Sequence, residues 1–222
     1  MNFSTILFDC DGVLVDSEII YIDVEREHLS RLGLTYSVQD YQQRFLGLTS
    51  TDFYKAVEDD YAALGKGALP AGFADGLDRA TRERMDRDLV AVDGIRPLLE
   101  VYQGAKAVAS STRLNRLNEK LRQTGLHPYF DPHIYSGEQV QNGKPAPDLF
   151  LFAADKLQAT AEECLVVEDS VNGVRAGCAA GMTVWGFTGG SHGDDALKER
   201  LFEAGASEIF SGHNDLARRL CL

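Results

Sequence analysis

No stretch of this sequence stays apolar long enough to span a bilayer, and the first residues lack a basic segment and meet Asp9 too early for a secretory signal. A cytoplasmic location is the expectation that follows. Basic residues are also scarce: 22 Lys and Arg stand against 34 Asp and Glu, a formal net charge of −12. That leaves no cationic surplus for wrapping a polyanion, so neither nucleic acid nor an anionic membrane is an expected partner. A small anion can still be bound where a metal and one or two cations meet. Cys10, Cys164, Cys178 and Cys221 show no C-x-x-C spacing, which argues against a zinc site or disulfide framework and for thiols in a reducing compartment. His28, His127, His133 and His213 show no metal spacing either, and no repeat or low-complexity linker is present. What is there is ordinary for a globular protein, 44% hydrophobic and 25% charged. The 222 residues suffice for one large α/β domain or a core with a smaller second domain.

Ile6-Leu7-Phe8 reads as a buried strand, yet it runs straight into Asp9-Cys10-Asp11-Gly12. Two carboxylates two positions apart share a face if the strand continues, and Gly12 lets the chain turn sharply away. Both then sit at a strand's carboxyl end, where open α/β sheets collect ligands. Two like charges so close repel, and a divalent cation relieves the repulsion. The same residues also fit a polar turn.

Residues 17 to about 88 read as mostly helical and highly charged, with Gly65, Gly67, Pro70, Gly72 and Gly76 breaking the segment into two halves. This predicts a helical domain over 17–88, inserted into a core made of 1–16 and 89–222. From about residue 93 short apolar runs alternate with helical segments, the pattern of a parallel sheet with crossover helices. Candidate strands are Lys106–Ala109, His133–Tyr135, Cys164–Val167, Met182–Phe187 and, more weakly, Glu208–Phe210.

Polar residues recur at the ends of these strands. Ser110-Ser111-Thr112-Arg113 can cap the next helix or hold an anion at its start. Lys144, in Asn142-Gly143-Lys144-Pro145-Ala146-Pro147-Asp148, is either presented from a stiff loop or is only a solvated charge. Val166-Val167 runs into Glu168-Asp169-Ser170, repeating the puzzle of the first pair. Four carboxylates are a set of hard oxygen donors suited to Mg²⁺.

In order along the chain, Asp9-Cys10-Asp11-Gly12-Val13, the Ser110 strand end, Gly143-Lys144-Pro145-Ala146-Pro147 and Glu168-Asp169-Ser170-Val171-Asn172-Gly173 resemble the four motifs of the haloacid dehalogenase superfamily. The likeness is greatest to its sugar-phosphate phosphatase and β-phosphoglucomutase branch, and it covers nearly the whole chain. The resemblance implies an α/β fold, a Rossmann-like parallel-sheet core with an inserted α-helical cap. It also implies a nucleophile, Asp9, that forms an aspartyl-phosphate, and an acid/base, Asp11, that starts the cycle protonated. Ser110 and Lys144 would hold the phosphoryl oxygens. Mg²⁺ would be bound by Asp9, Asp169 and the backbone carbonyl of Asp11, with Glu168 as a ligand or as support to one.

Asp11 sets the chain apart from the carbon-attacking dehalogenases, which the resemblance implies need no acid there. Tyr21 stands where the mutase has a histidine, Ser50 falls on or near the mutase's cap arginine, and Lys55 does not match the phosphonate hydrolases' lysine. The leading expectation is therefore an Mg²⁺-dependent phosphatase acting on a small phosphorylated metabolite, a sugar or sugar-acid phosphate. A phosphosugar mutase is the alternative, and a non-catalytic phosphometabolite sensor the least favoured. Thr49, Ser50, Arg82 and Arg84 are candidate cap contacts, with Ser111 and Arg113 candidates from the core, although each also fits an exposed polar group. His192 lies on the Gly-rich stretch 188–193, which reads equally as a turn. A monomer or small homo-oligomer is expected.

Overall fold

The computed structural model describes residues 3–45, 48, 50–190 and 195–222; the side chain of Ser50 also lies outside the description. In chain order β1 (Thr5–Phe8) is followed by α1 (Glu18–Arg31), α2 (Val38–Phe45), α3 (Ser50–Ala63) and α4 (Phe73–Asp88). Next come α5 (Ile95–Val101), β2 (Ala105–Ser110), α6 (Leu114–Gln123), α7 (His127–Phe130) and β3 (Ile134–Ser136). The chain continues through α8 (Asp148–Lys156), β4 (Cys164–Glu168), α9 (Val171–Ala179), β5 (Thr183–Phe187), α10 (Asp195–Ala204), β6 (Glu208–Phe210) and α11 (His213–Arg219). Two compact units result, Met1–Ser17 with Leu89–Leu222, and Glu18–Asp88.

The first unit is built on a six-stranded parallel sheet of order β3-β2-β1-β4-β5-β6. Both faces are covered, so the strands are apolar on both sides: all four residues of β1 and all five of β4 are buried. Leu7 pairs with Ala107 and Val166, and these three join α8 and α9 in one core through Leu149, Phe150 and Val174. Phe8 points to the opposite face, where its ring meets Phe130 edge-on at 5.9 Å. Successive connections from β1 lead outward to β2 and β3, and the chain then returns to place β4 on the other side of β1. Ligands in such sheets gather outside the strand carboxyl ends at this reversal. Asp9 and Glu168 stand there.

The second unit is wholly helical. α1 packs along α4 and meets α2. α2 and α3 are joined by an aromatic cluster in which Phe45 meets Tyr36 at 5.2 Å and Phe53 at 5.3 Å. At its rim Arg44 donates to both oxygens of Asp60, which also accepts from the Tyr36 hydroxyl at 2.7 Å. Among the described residues no helix is long and apolar enough to cross a membrane.

Candidate active site

β1 delivers Asp9 while still paired, its N–H donating to Val167 O at 3.0 Å. The chain then leaves the sheet through Gly12, whose φ of 77° is a conformation that side-chain-bearing residues rarely adopt. Leu14 and Val15 both donate to the Cys10 carbonyl, which ties the turn. Burial raises the Cys10 thiol well above its ordinary value, which leaves it inert.

Lys144 is the centre of charge. Its side chain is 4% exposed, and the ammonium donates to Asp9 Oδ1 at 2.5 Å, Glu168 Oε1 at 2.6 Å and Ala109 O at 2.8 Å. These three acceptors match its three donors. Burial works against its charge, but Asp9 and Glu168 outweigh that and hold its pKa above the usual lysine value. For Asp9, burial raises the carboxyl well above the usual range; Lys144 opposes, and Glu168 and Asp169 add to the rise. Two carboxylates thus grip one ammonium, and the Asp169 charge acts on Asp9 beside them. Such a surplus of hard oxygen donors fits a divalent cation of the Mg²⁺ kind.

Glu168 is fully buried, with Oε1 bonded to Lys144 and Oε2 accepting from Ser170 N and Oγ, both at 2.9 Å. It holds the lysine in place. Gly173 makes room for it: a Cβ at that position would fall 1.7 Å from Glu168 Oε1. Among the described residues no three His, Cys, Asp or Glu side chains form a ready metal cage.

The Asp11 carboxylate is likewise engaged on both oxygens. Oδ1 accepts from Ser17 Oγ at 2.7 Å and Lys120 Nζ at 2.5 Å, and Oδ2 accepts from Thr112 Oγ1 at 2.8 Å. Burial alone would raise its pKa, but the Lys120 charge and the three hydrogen bonds outweigh it and hold the carboxyl below its ordinary value. In the free protein these neighbours favour the carboxylate form of Asp11, whereas the acid role that the resemblance implies needs a proton there at the start of the cycle. Lys120 and Thr112 were not anticipated. Lys120 is 7% exposed on the face of α6 that also buries Leu117 and Leu121, and a lysine at that spacing is the signal that could have found it.

Ser110 is buried, and its hydroxyl accepts from Thr112 N at 3.1 Å, so the Ser-Ser-Thr run makes a turn rather than a helix cap. The start of α6 is satisfied instead by Glu138, which accepts from Leu114 N. Ser111 is exposed, and Arg113, with its side chain 82% exposed, lies 3.6 Å from Glu138. In the helical unit, Arg84 is held by Asp88 at 2.6 Å and Glu27 at 3.3 Å, and Lys55 by Asp59 at 3.2 Å. Tyr21 and Arg82 line a cavity of that unit. Thr49 and His192 lie outside the described residues, as does the Ser50 side chain.

The sequence model of the haloacid dehalogenase-like hydrolase family matches residues 3–181. Over 192 residues the chain is 31% identical to the 6-phosphogluconate phosphatase of Escherichia coli K12, covering 86% of this chain and 85% of that one. Among solved structures, a conserved haloacid dehalogenase-like protein of unknown function from Agrobacterium tumefaciens is similar, with a TM-score of 0.88 and 37% identity over 99% of this chain and 98% of that one. A hydrolase from Deinococcus radiodurans R1, solved with bound phosphate and sodium, has a TM-score of 0.86 and 34% identity over 99% and 95%. The match along most of the chain and the acid–lysine cluster at the sheet's reversal lead to one conclusion: this protein belongs to the haloacid dehalogenase-like hydrolases.

Proposed function

We propose that this hydrolase is a phosphatase of small phosphorylated carbohydrates, working through an aspartyl-phosphate on Asp9. The observation that carries the reading is the cluster of Asp9, Lys144 and Glu168, with Asp169 beside it and Asp11 two residues on. The similarity to a phosphatase of a phosphorylated sugar acid supports the substrate class.

Asp9 attacks phosphorus, which divides one difficult displacement into two easier ones. Lys144 exchanges a carboxylate acceptor for a phosphoryl oxygen and stabilises the charge there, with the Ser110 hydroxyl beside it. Glu168 keeps Lys144 charged and aimed. Asp11 gives a proton to the leaving oxygen and then takes one from the attacking water. A phosphate dianion brought against this cluster raises Asp11 by like-charge repulsion, so the acid form arises in the complex rather than in the free protein. Asp9, Asp169 and the Asp11 backbone carbonyl would hold Mg²⁺. When bound, the ion offsets the negative charge of the reacting phosphate. The protein works in the cytoplasm as a monomer or small homo-oligomer.

The test is phosphate release from p-nitrophenyl phosphate. It should require Mg²⁺, stop with a chelator and return on adding the ion. Asp9→Asn should lower kcat by on the order of a thousandfold or more. Activity surviving that substitution would sink the assignment of the nucleophile.

A further inference from the structure

The helical unit contains a cavity of ≈ 650 Å³ within its own helices. Its walls combine two kinds of surface. Tyr21, Tyr54, Phe45 and Phe53 supply aromatic rings, whose faces suit the C–H surface of a carbon chain or ring. Glu18, Glu25 and Asp78 supply carboxylates, which accept hydrogen bonds from hydroxyl groups. Among the described residues the cavity sets one cation against these acids, Arg82, whose Nε already donates to the Asp78 carbonyl at 3.3 Å.

We propose that this cavity binds a neutral polyhydroxylated group and discriminates against one that carries a carboxylate. Hydroxyls find acceptors on several sides, and C–H faces find rings. A carboxylate entering the same space meets the charges of Glu18 and Asp78 against one guanidinium, and such like-charge juxtaposition is a means of rejecting a wrong ligand. Glu25 adds to the fit. Burial, and then the neighbouring Glu18 charge, push its carboxyl up to about 7. It therefore offers both an acceptor and an O–H donor near neutrality, while the Tyr41 hydroxyl donates to its other side. The relative from Escherichia coli acts, by its name, on a sugar acid phosphate; the acids lining this cavity oppose that preference here.

A free polyol and the polyol portion of a phosphate ester offer the same chemistry. Isothermal titration of the whole chain with sorbitol and with gluconate tests the first source. Hydrolysis of sorbitol 6-phosphate and 6-phosphogluconate tests the second, and only this arm rests on the phosphatase reading. The neutral compound should be favoured by about tenfold or more in at least one arm. Asp78→Asn and Glu18→Gln should narrow that ratio by improving the acid's binding or kcat/KM. Arg82→Gln should widen it. Equal treatment of the two compounds in both arms, or preference for the acid, overturns the inference, as does a ratio unmoved by any of the three substitutions. If no ester is hydrolysed while sorbitol is still favoured in titration, the phosphatase reading fails and this one stands.

Discussion

The two units use charge in opposite ways. In the sheet unit the charges of the candidate site are deeply placed: Lys144 is 4% exposed and grips a Glu168 that is fully buried. In the helical unit ion pairs lie near water, as in Lys55–Asp59, with side chains 72% and 64% exposed. A buried cluster is costly to assemble and more costly to break, because each lost partner strands a charge away from solvent. An exposed pair is screened and nearly neutral in energy. Chemistry on phosphate therefore sits where the backbone of a rigid sheet can hold unfavourable charges together. The helical unit is left free to vary what it binds.

That contrast is broken most directly at Lys144. Lys144→Met leaves Asp9 and Glu168 facing one another unneutralised, and should cost about 3–5 kcal/mol of stability in denaturant unfolding. It should also abolish p-nitrophenyl phosphate hydrolysis.

His213 tests a second buried group of the sheet unit. It stacks on Phe187 at 4.4 Å, donates through Nε2 to Val13 O at 2.8 Å, and among the described residues its Nδ1 has no partner. Burial lowers its pKa from 6.5 to about 4, so the unfolded chain binds more protons between those values. Stability is fully present above about pH 6.5 and is lost as the pH falls toward 4, by on the order of 3 kcal/mol. Unfolding midpoints over that range should show the slope, and His213→Gln should flatten it.

Gly173→Ala sharpens the picture of how the cluster is packed. A Cβ 1.7 Å from Glu168 Oε1 must displace that carboxylate or α9. A stability loss of about 1–3 kcal/mol is expected from thermal melts, together with reduced kcat. Lys120→Met removes the cation that holds Asp11 down. The Asp11 carboxyl should rise, and the pH profile of kcat/KM should shift upward on its alkaline side, with a rate change of about tenfold near neutrality. The smallest effect belongs to the helical unit. Arg84→Gln, despite removing contacts to Asp88 and Glu27, should change stability by less than about 0.5 kcal/mol in denaturant unfolding.

Legibility in the sequence follows the same division. Asp9, Glu168 and Ser110 could be found because a strand alternates faces and ends abruptly, so a polar residue closing an apolar run stands out. The strands at 106–109, 133–135 and 164–167 were readable for the same reason. Lys120 escaped because it hides among Leu117 and Leu121, where the helical pattern looks complete without it. Thr112 escaped because Ser110, Ser111 and Thr112 are chemically alike, and only the turn decides which hydroxyl reaches Asp11. Glu25 and Tyr41 were invisible as a pair, since they are 16 residues apart on different helices.

By itself the sequence determined the alternation of strand and helix, the break near residues 65–76 and the set of acids and lysine that close the strands. These are local properties, set by periodicity and by the cost of burying a charge without purpose. Only the tertiary structure decided which groups meet. It brought Glu168 to Lys144, and it brought Asp11 to Lys120 across 109 residues of chain. The physical reason is that ionisable groups are governed by what lies within a few ångströms of them, and that neighbourhood is made by packing rather than by order along the chain.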